Sequence, residues 1–130
     1  MMQLKWLTYD EKVMHWSIEG DWTASDYNQT FKNWKNFATN KPYTVDLIMD
    51  MRHAGRMPSN MTSLAWQSVL NRPQNLGVTL IVTKSKLLRT VYKSMTQIYG
   101  GHDSVIIFSA DWDGALEILE AAQSSRAKAP

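Results

Sequence analysis

Asp50, His53 and Ser59 lie close together in this sequence and are of the types that acyl transfer uses. That chemistry needs a nucleophile, a base within hydrogen-bond reach and an acid that orients the base. No Gly-x-Ser-x-Gly elbow presents a serine here, so hydrolysis is not expected. His15, His53 and His102 are far apart and lack carboxylate or His neighbours at ligand spacing, which argues against a metal site. Cysteine is absent, which removes thiolate ligands, cysteine nucleophiles and disulfides. Gly100-Gly101 follows a helical pattern instead of opening one, so it does not read as a phosphate loop. The residues thus point to no enzyme, no cofactor and no metal.

Charge and aromatic placement are more informative. Arg52, Arg56, Lys84 and Lys86 fall in loops that a parallel sheet gathers at the carboxyl ends of its strands. With nearby helix N-termini they make a candidate anion site for a phosphate or carboxylate; the alternative is solvated loop charge. Trp22 and Trp112 each follow an Asp at a strand-to-helix junction, which places them as a candidate ligand edge with Lys84 and Lys86. Trp66 lies off the apolar stripe of its helix and, with Arg52, His53, Arg56 and Ser59, marks a candidate interaction surface. Each of these tryptophans can equally cover the rim of a core. Six Trp and eight Met in 130 residues are many for a core of this size.

These residues need a frame. The length suits one domain, expected over residues 1–123, with a small polar tail, 124–130, frayed from it. A net charge of +2 is too small for a phosphate-tracking surface, so no nucleic-acid partner is expected. No signal peptide or bilayer-spanning window is evident, and the expected location is cytoplasmic.

Periodicity supplies the elements. Residues 4–9 and 13–18 alternate as strands around the polar turn Asp10-Glu11-Lys12. Tyr27, Phe31, Trp34, Phe37 and Ala38 form one helical stripe over residues 25–40, with Thr23 or Ser25 as cap and Pro42 beyond the end. Residues 43–51 make a strand, and Pro58 suits the first turn of a helix through about Asn71. Residues 78–82 form a buried strand, and a third helix carries Leu88, Val91, Tyr92 and Met95. Residues 105–108 form the last strand, followed by a helix capped by Asp111 or Asp113. The order β-β-α-β-α-β-α-β-α predicts an α/β fold: a mostly parallel five-stranded sheet flanked by four helices, with the first strand antiparallel near an edge.

This order resembles the STAS superfamily, the SpoIIAA-like anti-anti-sigma-factor domains. Val105-Ile106-Ile107-Phe108 followed by Asp113-Gly114-Ala115-Leu116-Glu117-Ile118-Leu119 is similar to that family's last strand and helix start, and residues 43–50 to its central strand. The resemblance implies a non-catalytic regulatory module that binds another protein, with self-association into a homodimer a further option. Family members carry a phosphorylatable serine in Asp-Ser-x-Gly. Ser59 occupies the matching place, but Met57-Pro58-Ser59-Asn60 has neither the Asp nor the Gly, so phosphorylation is not expected. An architectural resemblance to CRAL-TRIO lipid carriers implies the alternative: a carrier of a small lipid-like, apolar or anionic ligand at the sheet's carboxyl edge.

Overall fold

The computed structural model describes residues 1–98 and 106–128. Its elements run β1 (Met2–Trp6), β2 (Val13–Gly20), α1 (Ala24–Thr39), β3 (Val45–Ala54), α2 (Met61–Leu70), β4 (Leu76–Val82), α3 (Lys86–Ile98), β5 (Ile106–Ser109) and α4 (Trp112–Lys128). The five strands form one sheet in the order β1-β2-β3-β4-β5, with β1 antiparallel to β2 and every later pair parallel. Tyr99, the expected stop at Gly100-Gly101, His102 and Val105 lie outside the described residues.

The order places the helices. Each β-α-β crossover steps to the next strand in the same direction, and crossovers of one hand then put α1, α2 and α3 on the same face. Met14, Trp16 and Ile18 of β2, Leu47, Met49 and Met51 of β3 and Ile81 of β4 meet Tyr27, Trp34, Leu64 and Tyr92 there. Helix α4 follows the last strand and folds over the opposite face, where Ala115 and Leu119 pack on Val13, Ile48, Leu80 and Val82. The alternation read from the sequence is therefore real on both sides, but the second face is shared between apolar and charged residues. Asp46 and Asp50 stand on it, buried.

Local chemistry sets the element ends. Leu7 N–H closes on Val13 O at 2.7 Å, and Glu11 takes the left-handed conformation at φ 57°. This turn ends β1 at Trp6, earlier than the alternation through Tyr9 predicts. Thr23 caps α1, its hydroxyl accepting from Asp26 N–H at 3.1 Å, as the sequence suggests. Pro58 precedes α2 instead of opening it: Met61 N–H bonds Pro58 O across a turn at 3.2 Å.

The expected frayed tail is corrected over Ser124 to Lys128, which continue α4. Arg126 Nη2 reaches Asp46 Oδ1 at 2.8 Å, and Gln123 Nε2 donates to Asp46 Oδ2 at 3.2 Å. Asp46 is 1% exposed, so its charge must be matched, and the last turns of α4 supply the match.

Candidate interaction surface

Two strand ends hold the loop after β3. Gly55 N–H donates to Gly20 O at 2.7 Å, and Arg56 N–H donates to Asp21 Oδ1 at 2.6 Å. Trp22 N–H returns to Arg56 O at 3.3 Å. The approach is so close that a Cβ on Gly55 would stand 2.3 Å from Asp21 Oδ1. Gly20 makes the matching turn at φ 70°, a conformation that glycine adopts without cost. The segment is thus fixed at its backbone while His53, Arg56 and Ser59 remain exposed. Ser59 sits in the turn before α2, and Asn60, at the N-cap position, makes no side-chain cap bond.

Arg52 belongs to a different arrangement, on the α4 side of the sheet. Its Nε and Nη2 donate to the two Asp50 oxygens at 2.8 Å each, a forked ion pair. His15 Nε2 stands 3.2 Å from Asp50 Oδ2, and Arg52 N–H adds a bond to Asp50 Oδ1 at 3.3 Å. The indole of Trp112 covers the group, 4.9 Å from the Arg52 guanidinium carbon and 4.9 Å from the His15 ring. Burial pushes the Asp50 carboxyl up, but the hydrogen bonds from Arg52 and His15 outweigh it and hold the pKa at about 2. A carboxylate held that low is a poor proton acceptor at neutral pH. Its work is to fix Arg52 and His15.

The structure therefore divides the expected sites. Of the interaction set, His53 near the end of β3 and Arg56 and Ser59 in the loop after it are exposed. Arg52 is turned to Asp50, and Trp66 is half-buried against the main core. Of the ligand edge, Lys84 and Lys86 are exposed at the β4–α3 junction. Trp22 is 5% exposed and stacks on Tyr27 at 5.6 Å, inside the core under α1. Trp112 lies on the opposite face, so the two tryptophans do not flank one edge. All six Trp pack in or against a core cluster, and this accounts for the aromatic surplus. Arg52 is likewise unavailable as a free member of an anion site with Arg56, Lys84 and Lys86.

Sequence reasoning missed His15, whose carboxylate partner is across a strand boundary, and Asp46. A signal was present: His15 and Asp50 both occupy the off-beat of strands whose other positions are Met14, Trp16, Met49 and Met51. Among the described residues no serine hydroxyl bonds His15, and no group of three or more His, Cys, Asp or Glu could hold a metal. A cavity of about 50 Å³ lies under α2, lined largely by apolar side chains and by neither Lys84 nor Lys86. Ligand pockets for drug-sized molecules span roughly 300–1,000 Å³. No helix among the described residues is long and apolar enough to cross a membrane.

This sheet order and helix distribution define a SpoIIAA-like α/β fold. A protein of the DUF3478 family with a SpoIIAA-like fold, from Shewanella loihica PV-4, superposes with a TM-score of 0.63 at 15% identity, covering 92% of each chain. The anti-sigma factor antagonist SpoIIAA in its unphosphorylated form superposes with a TM-score of 0.55 at 15% identity, over 92% of this chain and 98% of that one. No family model and no curated protein matches the sequence.

Proposed function

We propose that this chain is a non-catalytic regulatory module that acts by binding another protein. The contact is assigned to the end of β3, the loop after it and the outer side of α2, with His53, Arg56, Ser59 and Gln67 as its exposed members. The observation that carries this reading is the pinned loop, because a backbone fixed at Gly55 and Arg56 presents side chains at little entropic cost on binding. The SpoIIAA-like fold supports it, since the similar SpoIIAA is an anti-sigma factor antagonist. The cavity under α2 is several times too small for a lipid-like ligand.

The test compares wild type with Arg56→Glu and Ser59→Glu in affinity capture from the native host, followed by size-exclusion chromatography of the purified chain with the captured protein. The expected result is one partner retained by wild type and lost at least tenfold by either variant. Self-association, as a homodimer, would appear in the purified chain alone. A partner indifferent to both changes places the contact elsewhere and contradicts the assignment.

A further inference from the structure

Strand β1 is an outer strand of the sheet, paired among the described residues with β2 alone. Its register fixes which backbone groups that pairing uses. Leu7 N–H donates to Val13 O at 2.7 Å and Glu19 N–H donates to Met1 O at 2.8 Å. Between them Gln3 opposes Ser17 and Lys5 opposes His15. Bonded and non-bonded pairs alternate in an antiparallel ladder, so Gln3 and Lys5 spend their N–H and C=O on β2. Met2, Leu4 and Trp6 turn theirs to the open edge. The side chains of these three are partly buried against the core under α1.

Open edges are ordinarily guarded by proline, a bulge or an inward-pointing charge. Strand β1 has no proline, its register with β2 is unbroken, and its charged residue, Lys5, stands on the face away from Leu4. Apolar surface continues beside it: Phe37, 49% exposed, stands edge-on to Trp6 at 6.5 Å between ring centroids. We propose that this edge pairs with the same edge of a second copy of the chain, antiparallel about a two-fold axis at Leu4, so that one sheet runs through the dimer. The sequence of the strand selects occupant and register together. With Leu4 opposite Leu4 of the second copy, Met2 opposes Trp6, and every outward backbone group of β1 is matched. On the other face Gln3 opposes Lys5 in both directions, so no charge meets its like. An axis at Lys5 would set two lysines face to face, and one at Gln3 would leave Trp6 beyond the end of the paired strand. Strand β2 separates this edge from the end of β3, so it stands or falls independently of the contact assigned there.

Sedimentation equilibrium of the purified full chain over a wide concentration range tests this. One short strand pair makes a small interface, so a weak dimer is expected, with a Kd of about micromolar or higher. Gln3 is exposed, and Gln3→Glu sets an ion pair with Lys5 on each side of the axis. It is expected to tighten the dimer on the order of fivefold, and Gln3→Lys to weaken it by a similar factor. In amide hydrogen exchange, Leu4 and Trp6 gain protection as concentration rises, while Gln3 and Lys5 are protected throughout. A chain that stays monomeric at every concentration, or whose edge takes up a strand only from another protein, overturns the proposal. So does a dimer with the same Kd in both Gln3 variants, or one whose Leu4 amide stays unprotected. Should a variant fail to fold, the exchange pattern of the unaltered chain still decides.

Discussion

Asp50 carries the clearest consequence at the scale of single residues. Its folded pKa of about 2 lies below the ordinary 3.8, so its stabilising contribution is complete above the higher value and is lost as pH falls through the lower. The difference corresponds to about 2 kcal/mol. Asp50→Asn is expected to lower stability by about that amount at neutral pH, and the gap to wild type is expected to close between about pH 4 and pH 2. Urea unfolding at several pH values measures this, and a gap independent of pH contradicts the account of the cluster. Gly55 gives a second expectation. An added methyl would stand 2.3 Å from Asp21 Oδ1 and 2.8 Å from Gly20 C, so Gly55→Ala must displace the loop from β2. A loss of about 1–3 kcal/mol, typical of overpacking, is expected in thermal unfolding. The sequence shows a glycine here but not what approaches it, since the neighbour is Asp21, distant along the chain.

Among elements, α4 is the one whose extent differs most from the periodic reading. Apolar spacing covers Ala115 to Ala122 and then stops, so residues beyond Gln123 look unanchored. Their anchor is a charge, Arg126 on Asp46, and a long-range ion pair leaves no periodic trace. Breaking a buried pair by removing one partner costs more than an exposed pair is worth, because the remaining charge is stranded. Arg126→Ala strands the buried Asp46, while Gln123 and Val78 N–H still hold it in part. A destabilisation of about 1–3 kcal/mol is expected, with faster amide hydrogen exchange confined to residues 123–128. Uniform loss of protection across the sheet would show that Arg126 instead supports the whole fold. The strands and α1 were legible because each carries an apolar repeat together with a local stop signal: Thr23 and Pro42 for α1, the Asp10-Glu11-Lys12 turn for β1. Helix α2 was misplaced at its start because Pro58 suits a first turn and a preceding turn equally well.

For the whole molecule, sheet order explains both the aromatic content and the position of the exposed loop. Three helices on one face must bury a wide layer, and Trp16, Trp22 and Trp34 fill it. Composition alone shows six Trp and cannot tell an interior layer from a contact surface; three-dimensional packing decides this. The candidate site was legible to the extent that chain order places loops at strand ends. Arg56 and Ser59 are exposed on one such loop, with His53 exposed at the strand end beside it, whereas Arg52 pairs with its near neighbour Asp50 under the Trp112 ring and Trp22 stacks on Tyr27. The contact is expected to be local to that side, leaving the outer face of α4 free. Site-specific photo-crosslinking measures this most directly, with a crosslinker placed in turn at the exposed positions of His53, Gln67, Glu117 and Glu120. Capture of one partner from the first two positions and none from the two on α4 is expected; capture from α4 alone would place the contact on the opposite face of the sheet.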